Sequence, residues 1–516
     1  MSRIEWVSFA VGIIIIFLVG CADTTKQVES HELISSTTDT YEDTLHLAFT
    51  WSPGSLDPHG SASWEVMRAG VAETLIRLNE RLEPTAWLAR EWEQENDTTW
   101  LFTLEEDVLF HNGQPMDANS VKESLLRSLE KNQRANELLQ IETIEVLSSN
   151  QLKIVTKQVN PALISNLADP STIIVDTTTI DEETSYPALT GAFSIKQFIK
   201  DESLVVERFD DYWGEPARLS NITISFISNP NTRLMALQAG EIDGATDIPI
   251  DSIELIEKDE SLKVLTAPSL RTHMLLYNLH SPFFEEINLR KVVDLSIPRD
   301  DIIRSIMKGF GSVANSPFSD VLPFGLVEKT AEGETVDELL ENKGWKKNSD
   351  GYWEKEGKVF EVTMLTFPQR PELSIIGEVI QNHLMNEGII VKIHQVENID
   401  DALANNQWDI SMYSMLTAHT GDPQYFLNVF YKSSSLSNVS HYSSNIIDEK
   451  INKLNTTTES TMRNELAIEA QELINNDLPQ SFIVHPVTIF AAKKEVEGFI
   501  PHPIEYYYLH SQVEKN

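Results

Sequence analysis

The chain has 516 residues, 41% of them hydrophobic, enough for a large buried core and for two lobes rather than one. Its formal charge is −39, with 79 acidic against 40 basic side chains spread along the whole length. Such a surface is well solvated and repels phosphate, which excludes nucleic acid and anionic membrane surfaces as partners.

Residues 6–20 form an almost unbroken apolar run behind Arg3, shorter than the ~20 residues a membrane span needs and suited to the core of a signal peptide. The run ends in Leu18-Val19-Gly20-Cys21, and Cys21 is the only cysteine of the chain. This ending resembles a bacterial lipobox, in which the cysteine is lipidated and becomes the first mature residue. Residues 1–20 are therefore expected to be a signal peptide and 21–44, rich in Ser, Thr and acidic residues, a lipidated flexible tether. With Cys21 lipidated no thiol remains for catalysis, disulfides or thiolate metal ligation. The expected location is extracytoplasmic, anchored to the outer side of the cell membrane by lipid.

Leu-His-Leu-Ala-Phe-Thr-Trp at 45–51 alternates and predicts the first strand, followed by a turn-rich loop that carries Asp57-Pro58-His59-Gly60. Residues 100–108 predict another strand running into a turn at 110–115. Residues 117–129 predict a helix capped by Asp117, with Glu123, Ser124 and Arg127 on its wet side. Residues 271–278 predict a strand after Pro268, and 481–492 a returning strand interrupted at Pro486. Between them Ile297-Pro298-Arg299-Asp300 opens a helix, and 336–342 and 372–385 predict two more. Strands at 362–366 and 389–396 flank the last of these in a βαβ rhythm. Ile410, Met412 and Ser414 alternate with Asp409, Ser411 and Tyr413 and predict a strand that delivers His419 to the edge of the sheet. Asp422-Pro423 behind it reads as a cap and a proline in the first turn of the next helix.

Several motifs keep one order along the chain: Leu56-Asp57-Pro58-His59, then Trp100-x-Phe102-x-Leu104-x-x-Asp107-Val108-x-Phe110-His111-Asn112-Gly113-x-Pro115-x-Asp117-Ala118, then Thr190-Gly191-x-Phe193 and Tyr212-Trp213-Gly214. Gly240-Glu241-Ile242-Asp243, Leu289-Arg290, Gly344-Trp345 and Asp422-Pro423 continue the series. In this combination, from about residue 45 to about 508, the chain resembles the extracytoplasmic solute-binding proteins of family 5, the receptors of peptide and nickel ABC importers. It is most similar in pattern to nickel or metal-chelate binding lipoproteins. The resemblance implies an α/β, two-lobed, periplasmic-binding-protein-like (type II) fold with a ligand cleft between the lobes. Residues 45–268 and 486–516 would form lobe I and 269–485 lobe II, closing about crossings near Pro268 and Pro486. It further implies a monomer that delivers its ligand to an ABC permease in the cytoplasmic membrane.

No catalytic signature is present: the chain has no G-x-S-x-G, H-E-x-x-H, Walker loop or dinucleotide-binding glycine pattern, so binding rather than catalysis is the expected class, with no catalytic cofactor. In dipeptide receptors of the family an acidic residue three positions before Asp-Pro holds the peptide ammonium; here that place is His419. A neutral imidazole removes the charge an amine needs and offers a nitrogen ligand to a transition metal. His59 and His502, on loops that the family fold brings to one cleft, are the other expected metal ligands. Nickel receptors of the family also receive chelator carboxylates on arginines. Arg134 stands where the first of these falls, while the usual Pro-Arg-Pro of the second is replaced by Ala168-Asp169-Pro170-Ser171. Arg271 is the substitute cation this implies, and Tyr506 a further ligand contact. Chelator-stacking aromatics found just before Asp-Pro in some members are also absent, with Thr417 and Gly421 in that region. The expected cargo is a nickel or cobalt ion complexed by a small chelator, with an oligopeptide as the alternative.

Overall fold

A computed structural model describes residues 44–516 apart from 61, 181–185, 327–332 and 406. The signal-peptide reading, the lipidated Cys21 and nearly all of the 21–44 tether lie outside the described residues. No helix among the described residues is long and apolar enough to cross a membrane.

Twelve strands make the main sheet: β1 (Thr44–Phe49), β2 (Phe193–Ile199), β3 (Ser203–Arg208), β4 (Asn221–Phe226), β5 (Gly244–Thr246), β6 (Leu262–Pro268), β7 (Arg271–Tyr277), β8 (Gly311–Val313), β9 (Glu361–Thr366), β10 (Ile390–Gln395), β11 (Ile410–Leu416) and β12 (Gln480–Lys493). Across the sheet they run β10-β9-β11-β7-β12-β5-β1-β4-β3-β2, with β6 and β8 also paired to β12. Five helices position the site: α1 (Ser63–Arg68), α2 (Ala118–Lys131), α3 (Gln133–Leu139), α4 (Pro371–Asn386) and α5 (Gln424–Tyr431).

Strands β9 and β10 lie parallel in register from Glu361 with Ile390 to Thr366 with Gln395, and α4 is their crossover. Pro371 opens α4 at a position whose N–H has no partner in a helix anyway. Its buried Leu373, Ile376, Ile380 and Leu384 recur at helical spacing, which holds the helix on the sheet.

Strand β12 changes partners along its length. Its residues up to Pro486 pair with β7 and β8, and from Val487 onward with β6 and β5. The predicted interruption at Pro486 is thus not found: the strand runs through, and the proline occupies the residue where the partners change. A missing N–H is harmless at that point. Strand β6 passes to β7 through only Ser269 and Leu270.

Asp117 caps α2 as expected, its Oδ1 accepting the N–H groups of Asn119 and Ser120, both at 2.9 Å. One face assignment is corrected. Ser124 is fully buried, its hydroxyl donating to the Ile173 carbonyl and accepting the Val175 N–H, so a polar residue is satisfied inside. Pro423 is also displaced by one position, standing at the cap of α5 while Asp422 Oδ1 accepts the Gln424 N–H at 2.8 Å.

Gly191 illustrates why a motif glycine is needed. A Cβ there would lie 2.4 Å from the Gly70 carbonyl oxygen and 2.5 Å from the Val71 carbonyl carbon, both backbone. Gly191→Ala is expected to lower stability by about 1–3 kcal/mol, read from the urea midpoint, because neither segment can shift without breaking the Gly191 N–H bond to Val71 O.

Candidate functional site

Strand β11 ends at Leu416, and the loop that follows folds back tightly before α5. Thr417 donates to the Leu270 and Pro317 carbonyls, and Gly421, at φ +70, bonds back to Ala418 and leaves no room for a Cβ against the Leu82 carbonyl. Arg463 grips Asp422 with two contacts of 2.6 and 2.8 Å. The loop is therefore fixed at both ends, and His419 is held 1% exposed with its ring edge on Tyr425.

The two nitrogens of His419 have different fates. Nδ1 lies 3.3 Å from the Leu416 carbonyl, an arrangement that assigns it the proton. Nε2 is buried without a hydrogen-bond partner and stands 3.5 Å from Asp169 Oδ2. Burial, reinforced by the charge of Arg134, pushes the imidazole down to about 3. At neutral pH the ring is thus uncharged and Nε2 carries a lone pair.

Arg134, at the start of α3, directs Nε and Nη2 onto Asp169 at 3.1 and 2.6 Å. Its guanidinium also lies over the rings of Tyr425, at 4.5 Å, and Trp64 of α1, at 5.7 Å. Burial alone would raise the Asp169 carboxyl, but Arg134 more than reverses this and holds it at about 2. Ser171 fixes the other oxygen, donating from N–H at 2.9 Å and from its hydroxyl at 2.6 Å. Tyr506 packs edge-on against Trp64 behind this cluster, fully buried with its hydroxyl unpartnered.

His419, Arg134 and Arg271 line one cleft of about 300 Å³, together with Trp51, Trp64, Arg68, Phe367, Arg370 and Tyr413. A neighbouring cavity of about 130 Å³ shares Arg271 and Arg370 with it. Arg271 is already engaged, placing Nε and Nη2 on the two Glu505 oxygens at 3.1 and 2.9 Å.

The three histidines do not converge. His59 is fully buried under α2, with Nε2 2.8 Å from the Ile173 carbonyl and Nδ1 3.0 Å from an Arg127 nitrogen, so both ring atoms are consumed inside the fold. Asp57 holds Arg127 in place through two contacts of 2.6 and 2.8 Å. His502 lies in a different pocket with Arg77, Tyr507 and His510. Among the described residues no group of three or more His, Cys, Asp or Glu side chains is arranged to hold a metal ion, so the three-histidine ligand set is set aside.

Arg370 and Glu505 are site residues that the sequence reading passes over. Arg370 stands between β9 and α4, just before Pro371, the same kind of strand-to-helix junction that draws attention to His419. It reaches Asp247 at 3.7 Å. Glu505 offers no such signal, since its partners are far away in sequence.

Comparison with known proteins agrees with this architecture. The profile of the bacterial extracellular solute-binding proteins, family 5 Middle, matches residues 83–438. The nickel-binding protein NikA of Staphylococcus aureus is 30% identical over 434 residues, 84% of this chain and 87% of that protein. The probable D,D-dipeptide-binding periplasmic protein DdpA of Escherichia coli is 24% identical over 436 residues, covering 81% of this chain and 82% of that one. The crystal structure of S. aureus NikA in complex with Ni(L-His)2 superposes with a TM-score of 0.82 at 28% identity, over 92% of this chain and all of that one. A nickel ABC transporter structure from Bacillus halodurans gives 0.71 at 32% identity, over 91% and 99%. With its two-lobed α/β fold, the chain belongs to the bacterial extracellular solute-binding proteins, family 5.

Proposed function

We propose that the protein is the substrate-binding lipoprotein of an ABC importer, capturing a nickel or cobalt ion complexed by a small chelator. The observation that carries this reading is the buried, neutral, unpartnered Nε2 of His419 on the cleft wall. A nitrogen lone pair held by a fixed tautomer is what a borderline transition metal requires, and it is of no use to a peptide ammonium. The similarity to nickel-binding relatives supports the same choice.

In this reading the lobes are residues 45–268 with 486–516, and 269–485. The short β6-to-β7 passage and the partner change of β12 at Pro486 supply the two hinge points. His419 then stands on the lobe II wall of the cleft with Asp169 of lobe I buried 3.5 Å behind it, and the cargo enters the cleft when the lobes part. Closure is driven by the cargo's preference for the closed form. Cys21 anchors the mature chain to the membrane through its lipid, 21–44 is the tether, and the monomeric closed receptor docks on its permease.

The second reading, an oligopeptide receptor, is favoured by one observation: Asp169 puts a carboxylate beside the position that holds the peptide amine in dipeptide receptors. Against it, both Asp169 oxygens are already occupied by Arg134 and Ser171.

Calorimetry with nickel and L-histidine is the direct test. His419→Ala is expected to weaken binding at least 100-fold while lowering stability by only about 1–3 kcal/mol, the cost of a buried ring that makes one backbone hydrogen bond and packs on Tyr425. Undiminished affinity in the variant, or peptides bound while nickel complexes are not, would sink the proposal.

A further inference from the structure

We infer that Asp169, buried directly behind the His419 wall of the cleft, acts as a charge filter, restricting the cargo to metal complexes that carry no net negative charge. The inference rests on the nickel reading and adds the class of chelator to it.

The geometry is tight. With Nε2 of His419 only 3.5 Å from Asp169 Oδ2, a metal about 2.1 Å from that nitrogen lies within roughly 5.6 Å of the carboxylate whatever its direction. The donor atoms around that metal therefore sit against a fixed negative charge. Asp169 cannot swing away, because Ser171 holds one oxygen and Arg134 the other.

Compensating cations are not in surplus either. Arg134 is spent on Asp169, and Arg271 is spent on Glu505. Arg68 shares Glu505 at 3.5 Å, and Arg370 faces Asp247 at 3.7 Å. Glu65 and Asp400 add two further carboxyl groups to the same wall. Each guanidinium that reaches the cleft is thus met by a carboxylate of the chain. A neutral complex can still take hydrogen bonds from the unused arginine N–H groups, whereas a polyanionic complex meets a wall whose arginines are already paired with carboxylates of the chain.

The test uses one metal and chelators of different charge: nickel with two L-histidines, neutral overall, with nitrilotriacetate, singly negative, and with EDTA, doubly negative. Wild-type affinity is expected to fall along this series, by at least 100-fold from the first to the last. Asp169→Asn keeps the oxygen that accepts from Ser171 while freeing the charge of Arg134, and is expected to narrow the ratio at least tenfold by tightening the EDTA complex. Equal wild-type affinities along the series overturn the filter, as does an unchanged ratio in a folded Asp169→Asn protein. Should that variant not fold, the wild-type series alone decides. Failure to bind any nickel species refutes the nickel reading beneath it, whereas nickel binding without charge preference refutes the filter alone.

Discussion

Acidification from pH 6.5 to 4.5 is expected to destabilise the protein steeply. Burial pushes His59, His111, His485 and His502 down to about 4 and His419 to about 3. In the unfolded chain the same imidazoles take up protons near 6.5. Their neutral burial therefore costs nothing above pH 6.5, and stability is lost as the pH falls from there toward 4. Glu73 works in the opposite direction. It is buried, with Tyr212 and Trp213 donating to its oxygens at 2.7 and 2.9 Å, and burial raises its carboxyl to about 7. The folded state thus binds that proton first and gains stability between pH 7 and 4.5. Five histidines against one glutamate leave roughly three to four protons taken up on unfolding near pH 5.5, a slope of about 4–5 kcal/mol per pH unit. Two such units exhaust the ~5–15 kcal/mol that folded domains possess. Urea midpoints at pH 7.0, 6.0 and 5.0, with proton uptake measured by potentiometry, check both sign and size. Equal midpoints at pH 7 and 5 would show that these rings are reached by water.

Much of the fold is legible in the sequence because it is written in local periodicity. The α4 helix shows itself by Pro371 and by apolar residues at helical spacing, and β9 and β10 by short apolar runs on either side of it. The junction after β11 is legible for the same reason: strand pattern, loop and cap are all local. What each histidine faces is not local. His59 and His419 both stand on loops after strands, yet one is sealed by Arg127, 68 residues away, and the other is left with a bare nitrogen.

Charge pairing is the other part the sequence conceals. Arg134 and Arg271 read as cations available to a chelator, but their partners Asp169 and Glu505 lie 35 and 234 residues away, and only the folded chain shows that both forks are filled. The replacement of an arginine by Asp169 is visible in the sequence as a loss of positive charge. Folded, it is more than a loss, since Asp169 also neutralises the arginine that remains and confronts His419. Arg370 is marked in the sequence only by its place at a strand-to-helix junction like that of His419, and the folded chain shows that this junction opens on the cleft.

Glu505→Ala is expected to be the costliest substitution in the cleft, at about 3–5 kcal/mol, because it strips the partner from buried guanidinium groups rather than removing a contact at the surface. Arg271, 8% exposed, gives Glu505 two hydrogen bonds, Arg68 approaches the same carboxylate at 3.5 Å, and the Ser269 hydroxyl donates to it at 3.2 Å. These charges keep the Glu505 carboxyl ionised far below the usual carboxylate range despite its burial. The residues involved begin β7 and lie next to the passage from β6, so the loss also loosens that short connection. Arg68 keeps the residue 505 carbonyl through its Nε at 2.8 Å in any variant, which limits its share of the damage and makes Arg271 the main orphan. A double variant, Arg271→Met with Glu505→Leu, is accordingly expected to recover part of the loss, since an apolar pair of similar volume needs no compensation. Urea midpoints of the single and double variants provide the check. A single-variant loss below about 1 kcal/mol would mean that cleft water already solvates Arg271, and that the ion pair organises the site without holding it together.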